Sequence, residues 1–129
     1  MIRAIAAACI LAAVVAATAG ARTSATLRVR QKFEGSMHYI EGSIGYVQIR
    51  NRLGRVLVQK TFRTAAELDF AFTPGTWRLV SFQRPCDGNC NYLDGPTDRC
   101  ALLFRIRRSD TLSATVHVTP GSGCRIELR

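Results

Sequence analysis

Between Cys86 and Cys100 the chain gathers three cysteines, three carboxylates (Asp87, Asp94 and Asp98) and the turn formers Gly88, Asn89, Gly95 and Pro96. Thiols this close together can bridge, hold a metal or exchange disulfides. With Cys124 downstream, the four cysteines are separated by three, nine and twenty-three residues. Structural zinc sites use closely paired cysteine knuckles, and this spacing offers none. It also lacks the Cys-x-x-Cys of redox proteins. An even set in an oxidising compartment reads as two disulfides. A cross-strand bridge needs both Cβ atoms on one face and Cα atoms roughly 5.5 Å apart. Cys100 is in phase with Leu102 and Phe104, and Cys124 with Ile126 and Leu128. The expectation is Cys100–Cys124 in the core and Cys86–Cys90 closing the Asp-Gly-Asn turn. The alternative, Cys86–Cys100 with Cys90–Cys124, requires Pro85 to break the register.

The same segment carries oxygen donors. Asp87, Asn89, Asn91 and Asp98 fall at positions 1, 3, 5 and 12 of a calcium loop, with the Leu93 carbonyl at position 7. Such alternation lets a curled loop converge on one hard cation. Tyr92 stands where the sharp turn demands glycine, Asp98 replaces the usual Glu, and no flanking helices are expected. The four residues are therefore a candidate calcium set, against the plainer reading as turn formers bonded to their own backbone. A bridged, exposed loop can also present a contact surface, because preorganisation lowers the ordering cost of binding. Tyr92 and Leu93 would be its apolar anchors, with Asp94 and Arg99 as charged neighbours.

Catalytic chemistry has thinner support. His38 sits in a loop with Tyr39 and Glu41, and His117 lies among threonines. No nucleophile elbow, His-Glu-x-x-His or phosphate-binding glycine loop occurs. A Ser/His/Asp group assembled in space would show no local motif.

The elements that must position these residues are strands. Leu27, Val29 and Phe33 alternate with Arg28, Arg30 and Lys32. Leu68, Phe70 and Phe72 alternate with Glu67, Asp69 and Ala71, and Leu102, Phe104 and Ile106 with Arg105 and Arg107. Ala114, Val116 and Val118 alternate with Ser113, Thr115 and His117. Asn51–Gly54 and Pro74-Gly75 are turns. The expected fold is all-β, a single antiparallel β-sandwich of seven to eight strands, immunoglobulin-like or transthyretin-like, with two disulfides. Residues 22–26 are expected to fray.

Tyr46–Val58 resembles the first hairpin of carboxypeptidase regulatory-like (transthyretin-like) modules. Leu68–Leu79 is similar to their alternating strand, Pro-Gly turn (Pro74-Gly75) and aromatic-bearing strand (Trp77). The resemblance covers about thirty residues. It implies a generally non-catalytic sandwich and carries over no site residues. The cysteine segment instead looks like small secreted actinobacterial proteins of unknown function, which implies no activity.

Residues 1–21 read as a secretory signal peptide. Arg3 precedes the apolar run Ala4–Ala17, and small-x-small motifs end at Ala19 and Ala21. Cys9 leaves with it, since too few residues precede it for a lipoprotein signal. The run is shorter than the roughly 20 residues a membrane span needs. Residues 22–129 then form one domain, secreted and monomeric by default, with no membrane span. Sixteen arginines stand against two lysines, and the net charge is +9 with Arg3 included. The arginine bias, with many alanines, fits a GC-rich bacterial genome such as an actinobacterium. Such a charge attracts anionic surfaces. Arg28, Arg30, Arg105, Arg107, Arg108 and Arg125 are expected to form a basic face. Nucleic-acid readers interleave stacking aromatics with the basic residues, and here the six phenylalanines and Trp77 occupy core-type or turn positions, which argues against that partner.

The chain thus reads as a secreted, disulfide-stabilised, non-catalytic binding module for a protein or an anionic cell-wall or polysaccharide ligand. A protease-inhibitor-like protein using residues 86–100 and a small hydrolase are the alternatives. No cofactor is expected beyond the candidate calcium.

Overall fold

The computed structural model describes residues 24–39 and 42–129; the signal peptide expected at residues 1–21 lies outside them. Nine strands follow one another: β1 (Ala25–Phe33), β2 (Ser43–Arg50), β3 (Val56–Thr61), β4 (Glu67–Phe72), β5 (Gly75–Asp87), β6 (Asn89–Leu93), β7 (Thr97–Ile106), β8 (Thr111–Thr119) and β9 (Gly123–Leu128). Eight of them form two four-stranded sheets packed as a sandwich. One runs β4-β1-β8-β9, and the other β3-β2-β5-β7. The ninth, β6, folds back on the end of the 13-residue β5 as a short ribbon.

Alternation explains the core. Leu27 and Val29, Val47 and Ile49, Val116 and Val118 are each fully buried at every second position, as a one-sided strand requires. Leu79, Phe70, Phe104 and Ile106 fill the space between the sheets. All pairings are antiparallel except β1 with β8, which is parallel from Thr26↔Thr111 to Phe33↔Val118. Ala25 is fully buried opposite Phe72, so the frayed start expected for residues 22–26 is replaced, at its described end, by paired strand. Phe33, expected to face inward, is 44% exposed at the end of β1.

Two disulfides are present. Cys100 of β7 and Cys124 of β9 join the two sheets, with Cα atoms 5.4 Å apart. Cys86 and Cys90 close the β5–β6 turn, at 4.7 Å. Toward this end the interior turns polar. Gln83, fully buried, donates to Gln31 Oε1 at 3.1 Å and accepts from the Ser43 hydroxyl at 3.1 Å. Gly45 makes room for this group, since a Cβ there would lie 2.3 Å from Gln31 Oε1.

Candidate functional site

β5 runs through the middle of the second sheet, with β2 on one side and β7 on the other. Because Leu79 and Trp77 face the core, Arg78, Val80, Phe82 and Arg84 face outward. The register sets Arg50 opposite Arg78, and Arg78 opposite Leu103. Arg105 follows on β7, and Arg99 is exposed at its start. Five arginines, Arg50, Arg78, Arg84, Arg99 and Arg105, thus share this face. No Asp or Glu occupies an outward position between residues 44 and 50, 57 and 61, 76 and 84, or 99 and 105. Among the described residues, none of the five makes an ion pair. Arg50 instead donates to Gln48 Oε1 at 3.0 and 2.6 Å, and Gln48 donates to Gln59 at 2.7 Å. The Arg84 guanidinium lies over the Tyr46 ring, which stacks on Phe82 with centroids 5.1 Å apart.

The opposite sheet is arranged differently. Arg28 donates to Asp69 at 3.0 Å and lies 3.7 Å from Glu67, and Arg30 pairs with Glu67. The carboxylates raise the pKa of Arg28, chiefly through the Asp69 hydrogen bond. Arg125 lies 3.5 Å from Glu34, and Arg129 donates to Glu127 at 2.8 Å. The basic face expected from Arg28, Arg30, Arg105, Arg107, Arg108 and Arg125 is therefore corrected. Arg28, Arg30 and Arg125 lie on this neutralised sheet, Arg105 is on the other, and Arg107 and Arg108 follow β7 in the turn to β8. Alternation separates inward from outward but is blind to which of two outward faces a residue joins.

One end of the sandwich continues the arginine face. The pairings Arg50↔Arg78 and Gly75↔Ile106 put the β2–β3 and β7–β8 turns together where β5 begins. The first is held by Asn51, whose Oδ1 accepts from the amides of Leu53 at 3.0 Å and Arg55 at 2.9 Å. Gly54 takes φ +83, which suits a residue without Cβ. That turn raises Leu53 to 93% exposure between the exposed Arg52 and Arg55. Asp110, the acidic residue of the second turn, accepts from the Arg107 amide at 2.9 Å.

The segment 86–100 lies at the other end. Cys86 is buried and Cys90 exposed. Arg84 donates to the carbonyls of Asp94 at 2.8 Å and Leu93 at 3.1 Å, fixing the β6 ribbon. Tyr92 projects from it at 75% exposure, with Leu93 half-buried and Asp94 exposed. Arg99 falls on β7, among the arginines of the face. Of the candidate calcium set, Asn89 and Asn91 share β6, where Asn89 Oδ1 accepts from the Asn91 amide at 3.0 Å. The Asp87 side chain lies outside what is described. Asp98 belongs to β7 and has another use. Its carboxylate accepts from the Tyr39 hydroxyl, from the Gly121 amide at 3.1 Å and from the Gly123 amide at 2.8 Å. It clamps the β1–β2 loop to the β8–β9 turn, and burial together with this bond raises the Tyr39 pKa.

The histidines are apart. His38 lines a cavity of about 430 Å³ with Tyr39, Asp94 and Asp98, and makes no hydrogen bond to any described residue. His117 lies on the outward side of the first sheet. Glu34 sits 2.6 Å from its Nδ1, and Glu127 sits 3.2 Å from its Nε2. Both ring nitrogens are thus engaged by carboxylates. The contact with His117 holds the Glu34 pKa below its ordinary value; Arg129 first, then His117, does the same for Glu127. Among the described residues, no three of His, Cys, Asp and Glu are grouped to hold a metal.

Sequence reasoning missed Arg50, Arg78, Arg84 and Leu53, although a signal was available. Residues 42–66, 70–86 and 99–109 contain no Asp or Glu, and these runs supply the whole arginine face. Compared with known proteins, the chain matches no family, no curated protein and no solved structure.

Proposed function

We propose that this chain is a secreted, non-catalytic binding module that attaches to anionic extracellular material through the outward face of β3-β2-β5-β7. The observation that carries the reading is the asymmetry of charge. Among the described residues, five arginines share one face with no carboxylate, while the arginines of the opposite sheet are paired. Unpaired like charges on a sheet raise the local potential, and a polyanion relieves their repulsion. The hairpin and Pro-Gly turn that resemble transthyretin-like modules fit this reading, because those modules are generally non-catalytic.

The test is titration with soluble inorganic polyphosphate at rising salt. Affinity is expected to fall steeply with ionic strength, since exposed charges are screened over about 10 Å. Arg78→Glu with Arg105→Glu is expected to lower it at least about tenfold. Binding that ignores both salt and these substitutions overturns the reading.

One observation favours a second reading. Tyr92, 75% exposed on a ribbon fixed by Cys86–Cys90 and Arg84, has the form of a preorganised contact residue for a protein cleft. Tight binding to one extracellular protease or receptor, abolished by Tyr92→Ala, would identify it.

A further inference from the structure

The anionic partner of this face can be narrowed from the apolar residues beside the arginines; the inference rests on the reading above. Among the described residues seven large hydrophobic side chains are exposed, and four of them, Leu53, Val56, Leu57 and Leu103, belong to the arginine-rich end and face. All four are aliphatic. Leu103, Arg78, Arg50 and Val56 form one continuous row across β7, β5, β2 and β3. Leu57 is 51% exposed beside it, and Leu53 stands at the turn beyond it. Scattered exposed leucines need no explanation, but a cluster ringed by cations marks an interaction surface.

The chemistry distinguishes three occupants. A sugar polymer or nucleic acid would want a free aromatic face to stack on. Here Tyr46 is already engaged by Phe82 and Arg84, and the exposed aromatics Phe33 and Tyr92 lie at the other end. A second copy of the chain docked through the same face would bring arginine against arginine with no carboxylate of the described residues to answer. An anionic lipid surface satisfies both halves. Its headgroups meet the guanidinium groups, and its acyl boundary takes an aliphatic side chain raised above them.

We propose that the β2–β3 turn and the adjoining row dock on an anionic phospholipid surface. Leu53 enters the interface, while Arg50, Arg52, Arg55, Arg78 and Arg105 hold the headgroups. No segment crosses the bilayer in this arrangement. Each arginine near an anionic leaflet strengthens binding roughly fivefold.

The experiment compares the purified protein with its Leu53→Ser and Leu53→Trp variants. Each is mixed with phosphatidylcholine vesicles, with and without phosphatidylglycerol, and with soluble polyphosphate. Leu53 is 93% exposed, so neither substitution threatens the core. Binding is expected only to vesicles containing phosphatidylglycerol. Leu53→Ser is expected to weaken it about fivefold or more, with polyphosphate affinity unchanged. In the Leu53→Trp variant, the emission of the introduced indole is expected to shift to the blue on the same vesicles, against the constant background of Trp77. If polyphosphate binds while vesicles do not, or if Leu53→Ser binds vesicles as the parent does, lipid docking is overturned and the polyanion face survives. If neither vesicles nor polyphosphate binds, both readings fall.

Discussion

Arg50 of β2 and Arg78 of β5 stand directly opposite each other on the outward face of the second sheet, two like charges as nearest cross-strand partners. Gln48 takes the Arg50 guanidinium, and among the described residues no carboxylate shares the face. Placing like charges opposite one another costs stability. A fold that selects only for stability would set a carboxylate or a threonine at one of the two positions, as β1 and β4 do with Arg28 and Asp69.

Arg78→Thr should therefore separate stability from binding. The substitution relieves the repulsion and places a β-branched residue on a strand, which is expected to stabilise the domain by about 0.5 kcal/mol. Polyanion binding should weaken in the same variant. Chemical unfolding and polyphosphate titration on one preparation check both.

Asp98 is the second test. Its backbone holds φ 49, and its carboxylate receives three donors from two separate loops. Asp98→Ala leaves the Tyr39 hydroxyl and the amides of Gly121 and Gly123 without their acceptor, at a cost of about 2 kcal/mol. Asp98→Asn keeps an acceptor oxygen and tolerates the left-handed backbone, so it should cost less. Urea unfolding of the two variants gives the order. A calcium role for Asp98 would instead predict that a chelator destabilises the parent to a similar degree.

The two disulfides should differ in value. Cys100–Cys124 closes a separation of 24 residues and ties one sheet to the other, whereas Cys86–Cys90 closes only 4. On loop-closure entropy, replacing the first pair with alanines costs about 3.5 kcal/mol and the second about 2. Thermal melts of the two double variants should rank in that order.

Acid should weaken the edge where β1, β8 and β9 meet. The hydrogen bond to His117 is the largest cause holding the Glu34 pKa below its ordinary 4.5. A carboxylate with a depressed folded pKa lends stability that is present above its unfolded pKa and lost as pH falls through the folded one. Glu127 adds to this in the same direction, held down by Arg129 first and then His117. Melting temperature should fall as pH drops below the ordinary carboxylate range, and His117→Gln should flatten that fall.

Much of this architecture can be read from the residues. Period-two alternation marks β1, β4, β7 and β8, and it puts Cys100 in phase with Leu102 and Phe104, the side from which it bridges to Cys124. The parallel pairing of β1 with β8 has no such signature, because contacts between Thr26 and Thr111 depend on the whole chain's path. Nor does alternation describe β5, where Leu79, Val80, Ser81, Phe82 and Gln83 are all buried. On the outward side Phe82 is screened by the stacked ring of its same-face neighbour Tyr46, so the strand shows no clean polar phase. The arginine face was hidden for a related reason. Its residues come from separate strands, and only the register sets Arg50 beside Arg78 and Leu103. The acid-free runs at 42–66, 70–86 and 99–109 were the available clue.

The central claim is that one outward face, and not overall charge, binds anions. Two variants of equal charge on opposite sheets decide it: Arg78→Gln with Arg105→Gln, and Arg28→Gln with Arg30→Gln. Both are to be titrated with polyphosphate at the same ionic strength. The first pair should lose most of the affinity while the second retains it. Equal losses from both would show that only net charge matters and would contradict the account.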